Sequence, residues 1–292
     1  MKQCAILSMD NLDDFEAYDE LLIEPLAKYG WQTEFVSWRA TNVDWNQFDV
    51  VVIRTPWDYQ DDAPAFLNVL AEIERSTAVL ENSLDIVQWN IDKQYLKSLE
   101  DKGVKIVPSL WREQLNKEEI STFYQHFNTH QIVMKPRISA NADNTFWLTE
   151  AQAQARADEL VDVFKDKPFI IQPFVESVIT EGEFSLFYFD GQYSHAILKT
   201  PKQDDFRVQE EHGGRLTTIT PESRLVEAAE KALQAIDEMP LYARVDFVRM
   251  GDNFALMEAE LIEPSLYFNM DDQSAQRFAD AFVARMARLY NK

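Results

Sequence analysis

Apolar and polar positions along this 292-residue chain change period in blocks. Residues 4 to 9, CAILSM, form a short apolar run of strand type. A polar loop, DNLDDFEA, leads into a helical pattern through LLIEPLAKYG that Gly30 stops. WQTEFVSW reads as a second strand, and FDVVVIRT as a third whose unbroken apolar run suits a buried parallel strand. RTPWDY ends that strand and the helical segment AFLNVLAEIER follows. This alternation predicts a layered βα unit, in which ligands gather beyond the C-terminal strand ends; Arg54 and Asp58 fall there.

The pattern then changes. WNIDKQYLKSLEDKG reads as a helix, with Asn90 or Asp92 as N-cap, Lys93 in the first turn and Gly103 as the stop. VKIVPS precedes two strands around a loop in IVMKPRISANADNTFWL, and Thr149 with Gln152 forms a capping box for a helix through Val163. FIIQPFV is a further strand, and EFSLFYFDGQYSHAILK an antiparallel pair turning at Asp190-Gly191. Thr220 and Pro221 are expected to open a helix, and a last helix starts near Gln273. Parallel units first and hairpins later place a domain boundary near residue 88.

Between those last two helices lies YARVDFVRMGDNFALMEAELIEPSLYF, a hairpin with three acids in strands. A three-residue loop, Gly251 to Asn253, sets Asp246 opposite Glu258 and Arg244 opposite Glu260; a two-residue loop would pair Asp246 with Met257 instead. Ala243, Val245, Phe247, Met257, Ala259 and Leu261 then share the buried face, and Val248 and Leu256 the carboxylate face. Opposed like charges destabilise a sheet, and a divalent cation bound by two or three oxygens reverses that sign, which suits Mg²⁺ or Mn²⁺. The same residues would also serve as an Arg244-centred salt-bridge cluster.

Mg²⁺ held by few carboxylates usually brings nucleotide phosphates, yet neither GxxxxGK nor GxGxxG occurs among only seven glycines. Lys135, after an apolar run and before Pro136, and Lys93, opposing its helix dipole, are sites for an anion or lysines that snorkel to solvent. Arg54 is suited to a substrate carboxylate or to a surface pair with Asp58, and Trp57 and Tyr59 to a pocket wall or to packing.

The net charge of −22 makes nucleic acid and anionic membrane poor partners, and no apolar run approaches the roughly 18 residues of a membrane span. A single cysteine excludes a disulfide framework, and neither HExxH nor GxSxG is present. The expectation is a soluble cytoplasmic protein.

RTPWDY, WNIDKQYL, KPRISANADNT, IIQPFV, GEFSLFYFDGQYSHAILKTP, DFRVQEEHGG, RVDFV and LMEAELIEPSLYF occur in an order that resembles the ATP-grasp superfamily over nearly the whole chain. The likeness is greatest to the glutathione-synthetase-like branch that includes the cyclo-ligase of cycloserine biosynthesis. It implies an α/β (α+β) ATP-grasp fold with a Rossmann-like N-terminal substrate domain at 1–88, a lid at 89–176 and a core at 177–292. By this resemblance Lys93 and Lys135 reach the nucleotide phosphates, Gln172 and the backbone of Pro173, Phe174 and Val175 meet adenine, and Glu183 holds the ribose. Asp246, Glu258 and Glu260 take the metal positions, and Arg244, Lys199 and Arg207 face transferred charge. The loop after Lys135 departs from the family in having no glycine; Asn141 suits a left-handed position there, and Ser139 and Asn144 supply side-chain donors. His195 and His212 lie in matched segments and read as structural. The resemblance implies an ATP-dependent ligase joining a carboxylate-like group to an amine through an acyl phosphate, within one molecule or between two, in a chain that is often a dimer. A phosphotransferase and a nucleotide-binding protein without catalysis are the other readings.

Overall fold

The computed structural model describes residues 1–13, 15–139, 144–202, 207–208 and 213–290. The first layer contains β1 (Lys2–Ser8), α1 (Ile23–Lys28), β2 (Trp31–Ser37), β3 (Val50–Thr55), α2 (Ala63–Arg75), β4 (Val79–Glu81) and α3 (Leu84–Asn90). Its four strands are parallel in the order β2-β1-β3-β4. Every residue of β3 is buried, as an apolar run between two covered faces requires. One face carries α2 and α3, with Phe66, Leu70, Ile73, Leu84 and Val87 in its core. The other face, with Cys4, Ile6, Val50 and Val52, packs against Phe187, Phe189, Tyr242 and Phe278 from the far end of the chain.

The helix expected over residues 89–103 is two helices, because α3 ends at Asn90 and α4 (Tyr95–Asp101) begins five residues later. Side-chain demand explains the break. The Asn90 amide donates to the Ala259 carbonyl at 2.8 Å and accepts from the Leu261 N–H at 3.0 Å. The Lys93 N–H donates to the Arg137 carbonyl at 3.0 Å. Asn90 therefore clasps the hairpin instead of capping, and Lys93 sits in the link between helices. The boundary expected at residue 88 falls inside α3.

A second, antiparallel sheet follows: β5 (Leu110–Arg112), α5 (Ile120–Phe127), β6 (Gln131–Pro136), β7 (Phe146–Thr149), α6 (Glu150–Ala155), α7 (Ala157–Phe164) and β8 (Phe169–Pro173), in strand order β5-β8-β6-β7. The Thr149–Gln152 capping box forms, although the helix it opens breaks at Arg156. Phe123, Leu160, Phe164 and Phe169 are among the residues of a core drawn from this segment alone.

The third sheet, order β11-β10-β9-β12-β13, is built from β9 (Glu183–Phe189), β10 (Gln192–Thr200), β11 (Arg215–Thr218), β12 (Tyr242–Met250) and β13 (Asn253–Glu260), after the short α8 (Ser177–Thr180). The Asp190-Gly191 turn joins β9 and β10, with φ of 47° and 77°. α9 (Ser223–Gln234) starts later than expected: Thr220 and Pro221 stay outside it, and Glu222 in the extended region directs its carboxylate to Arg249 at 2.5 Å. α10 (Ser274–Tyr290) covers the face shared with the first sheet. No helix among the described residues is long and apolar enough to cross a membrane.

Candidate nucleotide and metal site

The hairpin register is the one expected, reached by a different route. Met250 pairs with Asn253 across a two-residue turn in which Gly251 has φ 64°. A register shift between Asp246 and Phe247 leaves Met257 as an extra, unpaired residue. That bulge restores Asp246 opposite Glu258 and Arg244 opposite Glu260, so the carboxylates share one face after all. It also moves neighbouring side chains: Leu256 joins Phe247 in the buried core, and Met257 lines the cavity instead of that core.

Each acid on this face meets a base. Asp246 accepts from Arg244 Nε at 3.1 Å and lies 3.5 Å from Lys199 Nζ, while Ser185, its partner across β9, donates to the same carboxylate. Lys199 also pairs with Glu183 at 2.6 Å. Arg244 further bonds Glu260. Glu258 pairs with Lys93 at 3.1 Å, and the same ammonium donates to the Ser139 carbonyl at 2.8 Å. Against burial, Lys93 and Lys135 hold the Glu258 carboxyl down to about 2. Glu260 goes the other way: burial, only partly offset by Arg244, pushes it up to about 7. Burial lowers the Lys135 ammonium from its ordinary value, whereas Asp246 and Glu183 overcome burial and raise that of Lys199.

Apart from the buried Asp246 and Ser185, which do not line it, these side chains surround one cavity of about 210 Å³ between the second and third sheets, bordered by the first. Lys93, Lys135, Ser139, Gln172, Pro173, Phe174, Val175 and Glu183 all reach it, as do Lys199, Arg207, Arg244, Glu258 and Glu260. Gln172 is oriented by the Ser109 hydroxyl at 3.0 Å, and Phe174 stacks on Trp147 with centroids 4.5 Å apart. Trp57 and Tyr59 also line the cavity, so they act as wall and not as packing alone.

Arg54 and Asp58 do not line it. Arg54 is wholly buried, its guanidinium 3.1 Å from Asp19 and 2.8 Å from the Pro264 carbonyl and lying over the Tyr242 ring. Asp58 pairs with Arg39 at 2.6 Å and accepts from Trp38 Nε1. Neither the substrate contact expected of Arg54 and Asp58 nor the alternative pair between them forms, because each residue has a nearer counterion that no local spacing reveals. His195 fits a structural role, stacked on Phe187 with Nε2 3.1 Å from the Leu266 carbonyl. Asn141 and His212 lie outside the described residues; Asn144, at φ 50°, is a left-handed residue of that loop that is described. Sequence reasoning missed Ser185, Glu263, Ser265 and Tyr267, all beside the site. Ser185 was readable as the lone small polar residue in EFSLFYF, whereas the other three sit in a loop with no periodicity.

Among the described residues no three carboxylates stand together as a ready-made metal cage; Glu258 is tied to Lys93, and Asp246 and Glu260 share Arg244. The donor set nevertheless suits a hard divalent ion: all are oxygens, and the half-buried Glu260 carboxyl, raised above its ordinary range despite Arg244, has room for a further positive charge.

Residues 78–248 match the family described as prokaryotic glutathione synthetase, ATP-grasp domain. Residues 4–82 match the N-terminal domain of D-cycloserine synthetase DcsG. The cycloserine biosynthesis protein DcsG of Streptomyces lavendulae is 28% identical over 278 residues, 91% of this chain and 92% of that protein. The crystal structure of D-cycloserine synthetase DcsG superposes with a TM-score of 0.86 at 26% identity, over 97% of this chain and 99% of that one. A D-alanine–D-alanine ligase from Bacillus anthracis complexed with ATP shares the fold at a TM-score of 0.72 and 14% identity, covering 99% and 98% of the two chains.

Proposed function

We propose, for a chain that belongs to the prokaryotic glutathione synthetase ATP-grasp family, that this cavity binds Mg–ATP and a small molecule bearing a carboxylate-like group and an amine. The protein is an ATP-dependent ligase that forms C–N bonds. The observation that carries the site assignment is the meeting of hairpin acids with Lys93 from the helix link and Lys135 from β6 across one cavity.

Lys93 and Lys135 would grip the phosphates from two sides, and Ser139 fixes the first of them. Gln172 and the strand end Pro173 to Val175 would frame the adenine, with Glu183 toward the ribose. Asp246, Glu258 and Glu260 would hold Mg²⁺ or Mn²⁺. When bound, that ion supplies charge neutralisation at the phosphate oxygens. Entry of nucleotide gives Lys93 a second anionic partner, which loosens its hold on Glu258. Arg244, Lys199 and Arg207 would orient the carboxylate-like group and stabilise charge as it attacks the γ-phosphorus. The amine then displaces phosphate from the acyl phosphate. Correspondence with DcsG over both parts of the chain supports an intramolecular version, in which amine and acyl group belong to one molecule.

A thermal-shift titration with ADP tests the site. At about 100-fold over its dissociation constant a ligand adds about 2.7 kcal/mol, at roughly 2–4 °C per kcal/mol for a chain of this order. The rise is expected to depend on Mg²⁺ and to vanish in Glu258→Gln. A shift indifferent to Mg²⁺ and to that substitution would remove the metal assignment. ADP release with a single bifunctional substrate, without a second amine, distinguishes cyclisation from intermolecular ligation.

A further inference from the structure

The loop that follows β13 carries Glu263, a carboxylate that the nucleotide reading leaves without a task. Its backbone is fixed by the first layer: Trp57 Nε1 donates to the Glu263 carbonyl and Arg54 Nη2 to the Pro264 carbonyl, each at 2.8 Å. So held, the Glu263 side chain lines the cavity and bonds the Tyr59 hydroxyl. No ion pair involving Glu263 forms among the described residues. Lys93, Lys199 and Arg244 are engaged with Glu258, Glu183 and Glu260 respectively.

We propose that the Glu263 carboxylate, with the Tyr59 hydroxyl and the face of Trp57, receives the primary amine of the substrate as its ammonium ion and takes one proton from it before the nitrogen attacks; this rests on the ligase reading above. The charge pattern of the cavity supports it. Before a metal is held, Glu258 and Glu260 add negative potential beside Glu263, which rejects an anion there and attracts a cation, and the aromatic walls favour the same sign in either state. The carboxylate-like end of the substrate is drawn instead toward Arg244, Lys199 and Arg207. With no ion pair of its own, the Glu263 carboxyl is pushed up to about 8 by burial and by Glu260, against the weaker pull of Lys93. Arg54 becomes a positioning residue that acts through the Pro264 carbonyl.

The test is saturation-transfer NMR with n-propylammonium chloride and its neutral analogue n-propanol, on wild type, Glu263→Gln and Tyr59→Phe, with and without ADP and Mg²⁺. Melting curves check that each variant is folded. Wild type is expected to bind propylammonium in preference to propanol. Loss of one charge-assisted hydrogen bond in Glu263→Gln should weaken that binding about tenfold or more. Tyr59→Phe should weaken it less, which keeps the idea open to test if Glu263→Gln misfolds. Equal affinity for propylammonium and propanol, equal affinity in wild type and both variants, or no propylammonium binding by folded wild type would overturn the proposal. The nucleotide-free arm distinguishes the two sites: absence of any ADP response alongside Glu263-dependent amine binding would count against the nucleotide site alone.

Discussion

His195 lies flat on Phe187, 4.2 Å between ring centroids, and is nearly inaccessible to solvent. Burial holds its imidazole down to about 4, below the ordinary 6.5, so the folded chain keeps it neutral where the unfolded chain is protonated. The unfolded state then binds more protons between those values. The contribution is complete above about pH 6.5 and is lost as pH falls toward 4, up to about 3 kcal/mol by linkage. Urea unfolding over that range should show a shallower acid slope for His195→Gln than for wild type. Single residues were unevenly legible in sequence. Asp246, Glu258 and Glu260 stood out because charge in a strand breaks an apolar alternation. Arg54 misled because its counterion, Asp19, lies 35 positions earlier and nothing local announces the pair. Glu263 stayed hidden among loop residues, where a carboxylate is ordinary.

At the scale of elements, turns and bulges carry what side-chain pattern cannot. Gly182 precedes β9 at φ 118°, and a Cβ there would sit 2.7 Å from the Lys199 carbonyl oxygen. Gly251 has φ 64° with nothing within 4 Å. Both substitutions to alanine carry a left-handed penalty of about 1–2 kcal/mol. Gly182→Ala adds a backbone clash and should lose about 2–4 kcal/mol in chemical denaturation, displacing the Lys199–Glu183 pair, whereas Gly251→Ala should stay near the penalty alone. The sequence showed the hairpin and its pairing, since only that register puts three acids on one face. It did not show the Met257 bulge, because one extra residue leaves no mark on composition and a longer turn accounts for the same alignment. The break after α3 was hidden for a related reason: no glycine or proline marks residues 90–94, and the interruption comes from hydrogen bonds to β13 and the Arg137 carbonyl.

For the whole molecule, 50 acidic residues against 28 lysines and arginines give a surface that repels itself. Added salt screens such charges over about 8 Å at physiological ionic strength but reaches buried pairs much less. The melting temperature should therefore rise between low and physiological NaCl; a fall would mean that exposed ion pairs outweigh the repulsion. The layered order of sheets was legible because periodicity reports it directly. The fusion of the first and third sheets through one core was not, since Cys4 and Val52 give no sign of the distant phenylalanines they meet.

The separate core of the second sheet has a consequence for the order in which the protein is made. Its residues, 115–171, are neighbours in the chain and can condense as soon as they emerge from the ribosome. The contacts that join the other layers span far more: Tyr95 to Ala259 bridges 164 residues, and Tyr242 to Ile53 bridges 189. During translation Lys135, on β6, is thus in place before Glu258 and Glu260 exist, whereas the link that carries Lys93 is fixed only when β13 arrives. One wall of the cavity waits, already folded, until the last hairpin arrives to complete the other.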